Sequence, residues 1–446
     1  MMNFTTDSQT LNDLNLLGKY KLNSIISLFN KTITSGAERL LENMFRNPLT
    51  QYDQINKRKD ILSFFHNHNF ELPFNKQEFE IIENYLMNAE SKNKLTAAIN
   101  ISQLKLLSLI AKEKEYDLLK QGLLLTLNKF LELKDLTILI QKISQETAYA
   151  ETINKLVEIL DCKQLNQCYN FLTKGALKFN HILKIDYILR AELVEKIELL
   201  LNYLYELDVY ITVAKVANEN NFIYANALDS SEHVVDIKGV YHPYVPNPVS
   251  NDVFIKSDKN VLFLTGANMA GKSTFMKSFA VAIYLAHMGF PVAAKSMTFS
   301  LHDGIYTSIN VPDDITKGYS HFYAEVLRVK KVAEEVASNK NLIIIFDELF
   351  KGTNVKDAYD GTYAITDALS QRKGMFIIST HIMEVGEALR KNNKKTMFKY
   401  LPTVMQGSVP TYTYKLSDGI TDDRQGMIII KNEGILEMIN GKESKI

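Results

Sequence analysis

"LTGANMAGKSTFMKS", residues 264–278, contains the pattern G-x-x-x-x-G-K-[ST] between an apolar run, VLFL, and a helix-forming stretch. This order of strand, loop and helix is the context that a phosphate-binding loop requires. Glycines allow the backbone to wrap an anion without Cβ clashes, so that amide hydrogens and the helix N-terminus face it. The stretch therefore predicts a nucleotide site, in which Lys272 reaches the outer phosphates and the Ser273 hydroxyl ligates Mg²⁺. The predicted nucleotide-binding residues of the stretch are Gly266, Ala267, Asn268, Met269, Ala270, Gly271, Lys272, Ser273 and Thr274.

A second apolar run, LIIIF, ends in Asp347 and Glu348. An aspartate at a strand end beside a phosphate loop can hold magnesium through water, and an adjacent glutamate can orient and deprotonate an attacking water. Since phosphoryl transfer needs mainly positioning and charge neutralisation, the pair predicts ATP hydrolysis with Glu348 as general base and Asp347 as metal ligand. His381 follows the next apolar run, FIIST, and we interpret it as a sensor of the γ-phosphate; the alternative is a structural histidine at a strand end.

The sequence pattern changes near residue 230. Before that point helical periodicity dominates, whereas beyond it short apolar runs such as NVLFLT, NLIIIFDE and GMFIIST alternate with helical segments. Such alternation predicts an α/β sheet that binds its ligand at the carboxyl ends of its strands. We therefore predict a flexible N-terminus over residues 1–12, an all-helical domain over residues 13–228 and a P-loop ATPase domain with a mainly parallel sheet over residues 229–446.

The composition excludes several classes of protein. With 46% hydrophobic residues among 446, the chain can bury a large core and is not a disordered protein. Lys plus Arg and Asp plus Glu are both 51, so any DNA contact must come from local patches and not from a whole-molecule basic field. Cys162 and Cys168 lack the CxxC spacing of a zinc or redox site and are expected to be free thiols. The chain shows neither a signal-peptide pattern nor an apolar run of ~18 residues, which predicts a cytoplasmic protein.

These motifs, in this order, resemble the MutS family of DNA mismatch repair ATPases. TGANMAGKST is similar to that family's variant of the phosphate loop, in which Asn268 and Met269 are characteristic, and YTYKLSDGITDDRQGMIII resembles the end of the family's ATPase domain. In the helical half, LGKYKLNSIISLFNKTITSGAERLLENMFRNPL and LYELDVYITVAKVANENNF are similar to the beginning and end of the MutS core and lever region. The resemblance covers about residues 16–430. It implies an ABC-type ATPase that uses ATP and Mg²⁺.

The resemblance also implies roles for residues outside the phosphate loop. DGIYTSINVPDDITKGYSHFYAEV is similar to the family's composite-site segment, with matching positions at Asp313, Asp314, Gly318, Ser320, Phe322 and Glu325. This similarity implies that Ser320 acts in trans on the γ-phosphate of a partner subunit, and that the chain forms a homodimer through its ATPase domains. Tyr414 stands where the family places an aromatic residue or histidine against the adenine, and Asn251 is expected to contact the base.

Four features depart from the family pattern. Neither Phe-x-Glu string of this chain, FLE at Phe130 or FDE in the acidic strand, is a credible mismatch wedge, so we expect a compact form that lacks the mismatch-recognition and connector domains. The stretch between the two core-like segments is short for a full DNA-gripping clamp. KGTNVKDAYDG is two residues longer than the usual loop, and Pro248 stands where the family commonly has an aromatic residue beside the adenine.

Two functions from different classes fit these features. The first is a MutS-like DNA-binding ATPase in which ATP closes two ATPase domains and moves helical levers on double-stranded or branched DNA, in mismatch repair or a related transaction. Its further partners would be other repair proteins, with no membrane partner. The alternative is an ATP-gated protein-interaction module that works with a separate DNA-recognition subunit. Lysines such as Lys174, Lys178 and Lys184 converging on one concave face would favour direct DNA binding.

Overall fold

The computed structural model describes residues 4–18, 21–87, 99, 101–106, 115–173, 177–309, 321–406, 409–421, 430 and 434–439. Its internal contacts divide the chain into two compact units. The sheet unit comprises residues 1–27, 45–59 and 220–446, and the helical unit comprises residues 28–44 and 60–219. Each unit thus joins separate stretches of sequence, while the domain boundary between residues 228 and 229 stays a prediction.

Amphipathic helices form the helical unit. In the helix Glu115–Ile143, for example, Leu123, Leu127 and Phe130 are buried at the three-and-four spacing of one helix face. A π-helical turn, Ile188–Glu192, joins the helices Phe179–Tyr187 and Val194–Asn220. Before residue 221, the helices whose bounds the structure describes are α1 (Ser8–Asp13), α2 (Ile25–Phe29), α3 (Ser35–Arg46), α4 (Tyr52–His68), α5 (Lys76–Met87), α6 (Glu115–Ile143), α7 (Ala150–Leu160), α8 (Lys163–Thr173), α9 (Phe179–Tyr187) and α10 (Val194–Asn220).

A buried carboxylate, that of Asp208 in α10, anchors the start of α3. Its Oδ2 accepts hydrogen bonds from the backbone N–H of Ile33 at 3.0 Å, from the N–H of Thr34 at 2.7 Å and from the Thr34 hydroxyl at 2.8 Å. The Thr212 hydroxyl donates to its Oδ1 at 3.2 Å. Burial raises the pKa of this carboxyl, and the bonds from Thr34 and Ile33 oppose that rise. Asp208 thereby satisfies donors at the start of α3 that the helix cannot satisfy itself.

The main sheet of the sheet unit has six strands in the order β14-β11-β5-β10-β9-β8. Its strands pair in parallel except for β14, which pairs antiparallel with β11. Smaller sheets have the order β2-β7-β3-β4 and the pairs β1-β6 and β12-β13. The strands are β1 (Ile223–Tyr224), β2 (Asn226–Leu228), β3 (Val234–Val240), β4 (Asn251–Lys256), β5 (Val261–Gly266), β6 (Pro291–Val292), β7 (Ser296–Ser300), β8 (Gly304–Ser308), β9 (Leu342–Asp347), β10 (Gly374–Ser379), β11 (Thr396–Leu401), β12 (Thr403–Gln406), β13 (Val409–Tyr412) and β14 (Ser417–Asp418).

The helices of the sheet unit beyond the phosphate loop alternate with these strands. They are α11 (Lys272–His287), α12 (His321–Ala337), α13 (Val355–Ser370), α14 (Met383–Asn392) and α15 (Ile435–Ile439). Strands β5, β9 and β10 are buried along nearly their whole length, as expected for parallel strands read from continuous apolar runs. The prediction of helices together with an α/β part that has a mainly parallel sheet is confirmed.

Parallel pairing brings the carboxyl ends of three strands to one edge of the sheet. In the registers of β10 with its two neighbours, Ser379 lies opposite both Leu264 of β5 and Asp347 of β9. The phosphate loop that follows β5 and the acidic pair that ends β9 therefore meet at this edge, where open α/β sheets bind ligands.

The segment Phe4–Asp13 differs from the prediction of a flexible N-terminus over residues 1–12. Thr5 forms a parallel bridge with Gly304 at the start of β8. Phe4 is buried, and its ring centroid lies 5.9 Å from that of Tyr284 and 4.6 Å from that of His287. Long-range partners in the sheet unit therefore fix the segment.

Two further expectations concern cysteines and membrane segments. Cys162 and Cys168 are free thiols, as predicted. Over the described ranges, none of the helices combines the length and the apolar composition needed to cross a bilayer.

Asp208→Ala should lower the free energy of unfolding by about 2–4 kcal/mol, because it leaves the N–H groups of Ile33 and Thr34 buried without their acceptor. Thr212→Val is the matched control: it removes one 3.2 Å hydrogen bond to the same carboxylate and should cost less than about 1 kcal/mol. Urea unfolding followed by circular dichroism measures both. Equal losses in the two variants would contradict the anchoring role of Asp208.

Candidate functional site

The predicted phosphate loop connects β5 to α11. It leaves β5 at Gly266 and enters α11 at Lys272, with positive φ angles of 70° at Met269 and 99° at Gly271. A Cβ at Gly271 would lie 3.0 Å from the ring of Tyr414, so a larger residue there would both strain the backbone and crowd that ring. The loop therefore leaves backbone amides at the start of α11 available to an anion.

The Lys272 side chain is 5% exposed and lies over the loop. Its ammonium donates hydrogen bonds to the carbonyl oxygens of Gly266 at 2.9 Å and Ala267 at 3.2 Å, and lies 3.9 Å from Oε1 of Glu348. Burial lowers the pKa of Lys272, while the negative charges of Glu348 and Asp347 raise it. A phosphate group would supply the compensating negative charge that this partly desolvated ammonium lacks.

The Asp347 carboxylate joins the loop to the sheet. Its Oδ2 accepts a 2.5 Å hydrogen bond from the Ser273 hydroxyl, and its Oδ1 accepts a 2.8 Å hydrogen bond from the Ser379 hydroxyl. A hydroxyl and a carboxylate brought together in this way form an all-oxygen donor set, which is the kind that Mg²⁺ prefers. Ser273 and Asp347 therefore fit the metal that the sequence predicts.

Glu348 lies beside Lys272 with a backbone conformation that is rare for its residue type. Its φ is 54°, and its N–H donates to the carbonyl oxygen of Ser379 at 2.9 Å. Lys351 lies 3.5 Å from its Oε2. Left-handed non-glycine residues concentrate at functional sites because the surrounding structure must hold them there. The carboxylate borders the cavity described next, where it can accept a proton from a bound water.

A cavity of about 760 Å³ opens in front of the phosphate loop. The cavity is lined by residues of the phosphate loop and of the segment between β3 and β4, together with Tyr414. Of this lining, the loop, Asn251, Glu348 and Tyr414 were predicted from the sequence, and Pro248 was predicted to lie beside the adenine. The lining residues that were not predicted are Val240, Tyr241, His242, Val245, Pro246, Asn247, Val249, Phe275 and Ser278. Burial, together with the positive charge of Lys277, lowers the pKa of the cavity residue His242.

Asn251 holds Tyr414 at the mouth of this cavity. Its amide Nδ2 donates to the carbonyl oxygen of Tyr414 at 2.9 Å, and its Oδ1 accepts from the N–H of Leu416 at 2.7 Å. The two bonds imitate a β-bridge, while Tyr414 stays 46% exposed, with its ring beside Gly271. The geometry thus gives the buried Asn251 a positioning role in addition to its place in the cavity lining.

Of the predicted catalytic residues, His381 is not in the described cavity lining and Ser320 is not among the described residues. His381 is exposed, two residues beyond β10, and does not belong to the described lining. Its sensor role stays a prediction. Ser320, with Asp313, Asp314 and Gly318, lies outside the described residues.

The two described members of the composite-site segment contact the loop that follows β9. The buried Glu325 accepts a 3.4 Å hydrogen bond from the N–H of Gly352, and the ring of Phe322 meets that of Phe350 edge-on at 5.8 Å. Helix α12 therefore contacts the loop after β9. The sequence of that loop, KGTNVKDAYDG, is two residues longer than the usual loop of the family that the chain resembles.

Comparison with known proteins identifies related chains. A family model described as MutS domain V matches residues 262–444, and one described as MutS domain III matches residues 9–214. The DNA mismatch repair protein MutS of Petrotoga mobilis is 32% identical over 251 residues, which is 55% of this chain and 30% of that protein. MutS protein homolog 4 of Mus musculus is 28% identical over 292 residues, which is 60% of this chain and 30% of that protein. The chain thus spans about a third of the length of these curated relatives.

Asn251→Ala should raise the dissociation constant for ATP by roughly fivefold to tenfold, because the Tyr414 carbonyl and the Leu416 N–H lose the side-chain hydrogen bonds that hold this segment. Lys415→Ala is the control, since the exposed Lys415 makes a neighbouring bond to the Ser250 carbonyl but does not hold Tyr414, and it should change the constant less than twofold. Fluorescent-nucleotide titration measures the affinities. An unchanged affinity in Asn251→Ala would rule out the positioning role.

Proposed function

The chain belongs to the MutS family, and from this premise we propose that it is an ATPase that uses ATP binding and hydrolysis to act on DNA, in mismatch repair or a related transaction. The proposal assigns residues 229–446 to an ABC-type P-loop ATPase domain and residues 13–228 to helical core and lever regions. The observation that carries it is the convergence of Lys272, Ser273, Asp347 and Glu348 at one sheet edge, in front of a cavity of about 760 Å³.

In the proposed reaction each of these side chains has a separate task. Lys272 binds the outer phosphates of ATP, and Glu348 accepts the proton of the water that attacks the γ-phosphate. Ser273 and Asp347 would hold Mg²⁺, which neutralises phosphate charge when bound. The products are ADP and inorganic phosphate. The support for Glu348 as base is its position 3.9 Å from Lys272, which would bring the carboxylate close to the phosphates.

The adenine is proposed to stack on the ring of Tyr414. This ring is exposed at the mouth of the cavity, whereas Pro248 borders the cavity from the segment between β3 and β4. An aromatic face gives an adenine a larger contact than a proline ring does. Tyr414 is therefore the better stacking partner.

The ATP site is proposed to be completed by a second copy of the chain. In this arrangement Ser320 of one subunit contacts the γ-phosphate bound by the other, so a homodimer forms through the ATPase domains. ATP binding then closes the dimer, and the closure moves the helical regions on double-stranded or branched DNA.

A protein-interaction role is the second candidate function. The equal numbers of acidic and basic residues favour this role, because the chain then has no net positive charge that would attract the phosphates of DNA. Lys184, one of the candidate DNA contacts, lies 5.5 Å from the ring centroid of Phe171. Lys178 is exposed at the start of α9, and Lys174 lies outside the described residues.

Glu348→Gln should lower the rate of ATP hydrolysis at least about 100-fold, because the amide cannot accept a proton, while ATP affinity stays within about threefold. Lys351→Gln is the matched control: it removes the exposed partner 3.5 Å from the same carboxylate and should leave turnover within about twofold. Phosphate release and nucleotide titration measure the two quantities. Undiminished turnover in Glu348→Gln would show that another group is the base.

DNA should change the rate of ATP hydrolysis at least about fivefold if the helical region contacts DNA and the two sites are coupled. The experiment compares linear, mismatched and branched duplexes at one fixed salt concentration, since phosphate contacts weaken steeply with salt. Sedimentation of the same samples reports the oligomeric state. Turnover that ignores every DNA would favour the protein-interaction role instead.

A further inference from the structure

The loop that follows β9 carries two non-glycine residues in the left-handed backbone region. Glu348 has a φ of 54° and Phe350 has a φ of 61°. A side chain is strained in this region, so the conformation persists only where neighbouring groups hold it. Glu348 is the proposed general base, whereas Phe350 has no task in the proposed reaction. The groups that hold this loop therefore decide where the Glu348 carboxylate lies.

The main sheet fixes the backbone on the amino-terminal side of Glu348. The Glu348 N–H donates to the carbonyl oxygen of Ser379, at the end of β10, at 2.9 Å. The carboxylate of the preceding residue, Asp347, accepts a 2.8 Å hydrogen bond from the Ser379 hydroxyl. The start of the loop is thus held by the carboxyl end of β10, whereas the residues beyond Glu348 need a different support.

The ring of Phe350 provides that support. Phe350 is only 6% exposed and belongs to the core that strands of the main sheet share with helices α12 and α13. Its ring meets the ring of Phe322 in α12 edge-on, with the two centroids 5.8 Å apart. It also lies against Gly361 of α13, so closely that a Cβ there would be 2.8 Å from the ring. The Phe350 side chain is therefore packed against both helices.

The glycine in this contact is unusual for its place in a helix. Gly361 stands in the middle of α13, where an alanine would favour the helix more. The Phe350 ring occupies the space that an alanine methyl would need. The next residue, the buried Thr362, donates from its hydroxyl to the carbonyl oxygen of Leu349 at 3.4 Å. This turn of α13 therefore contacts both of the residues that follow Glu348.

The polar contacts of the loop beyond Glu348 are weaker than this packing. Lys351 lies 3.5 Å from Oε2 of Glu348, but its side chain is 51% exposed, and exposed ion pairs contribute little. The N–H of Gly352 donates to the Glu325 carboxylate at 3.4 Å, which is long for an amide donor. Among the described contacts of this part of the loop, the packing of the Phe350 ring is therefore the one best able to oppose the backbone strain.

We propose that Phe350 is a positioning residue for the Glu348 carboxylate. Its ring, seated against Phe322 and Gly361, keeps the backbone of Glu348 left-handed. The carboxylate then stays at the cavity, 3.9 Å from the Lys272 ammonium. This inference rests on the proposed function, in which Glu348 is the general base. Displacing the ring should slow hydrolysis and leave ATP binding nearly unchanged, because the phosphate loop is untouched.

Gly361→Ala should lower kcat about tenfold to a hundredfold, because the added methyl would lie 2.8 Å from the Phe350 ring and must displace it. The KM for ATP should stay within about twofold. The substitution removes no side chain from the core and favours the helix, so the variant should fold. Phe350→Ala removes the ring itself and should lower kcat by a similar factor under conditions in which circular dichroism shows it to be folded.

Leu369→Ala is the matched control. Leu369 is buried in the same core and lies eight positions after Gly361, near the carboxyl end of α13. Its truncation should lower the urea midpoint of unfolding, because it leaves a cavity in the core. It should nevertheless leave kcat within about twofold. The comparison separates a loss of stability from a loss of positioning.

A double-mutant cycle decides whether the Phe350 ring acts through Glu348. Gly361→Ala added to Glu348→Gln should lower the remaining single-turnover rate by less than about twofold, since that rate no longer depends on the carboxylate. A substitution that acts independently of Glu348 would instead lower the rate by the same factor in both backgrounds. A role confined to stability would leave the rate of the folded protein unchanged in both.

The outcomes distinguish this inference from the proposed function. If Glu348→Gln slows hydrolysis but Gly361→Ala leaves kcat unchanged, the positioning role is wrong and the proposed function stands. Equal losses from Gly361→Ala in both backgrounds, or a KM raised more than about fivefold with kcat unchanged, would also overturn the positioning role. If Glu348→Gln itself hydrolyses ATP at the wild-type rate, the assignment of the base in the proposed function is wrong, and the inference falls with it.

Discussion

The Asp347 carboxylate is the point on which the site depends. One oxygen accepts from Ser273 at the start of α11, and the other accepts from Ser379 at the end of β10. These bonds are possible only because β5, β10 and β9 run parallel in adjacent positions, which places their carboxyl ends side by side. Parallel pairing therefore determines which side chains can lie next to the phosphate loop. The side chains at those positions are oxygen donors and one ammonium group.

The parts of this site that the sequence predicts are those encoded by local patterns. Lys272 and Ser273 follow from the loop motif, and Asp347 and Glu348 follow from their place at the end of an apolar run. In the segment from Val245 to Val249, which borders the same cavity, only Pro248 was connected to the site, through the family resemblance; its neighbours carry no periodicity that would indicate a role. Tyr414 required the family resemblance, because an isolated tyrosine has no distinguishing local signal.

The segment Phe4–Asp13 shows why the remainder could not be predicted. Asp7 and Arg328 are 321 positions apart, and Thr5 and Asp303 are 298 apart. A short polar segment with such distant partners has the composition of a mobile terminus, and only the folded sheet supplies the donors and acceptors that fix it. The buried Arg328 is explained once these partners are known. Sequence patterns thus reveal the chemistry of the site more readily than the contacts that hold its parts in place.

The proposed ATPase site requires that nucleotide binding depend on Mg²⁺ through Asp347. Calorimetric titration of the chain with a non-hydrolysable ATP analogue, with Mg²⁺ and with EDTA, measures both stoichiometry and affinity. We expect one nucleotide per chain, binding at least about tenfold tighter with Mg²⁺, and loss of that difference in Asp347→Asn. Equal affinity in Mg²⁺ and EDTA, or a Mg²⁺ effect that survives in Asp347→Asn, would contradict it.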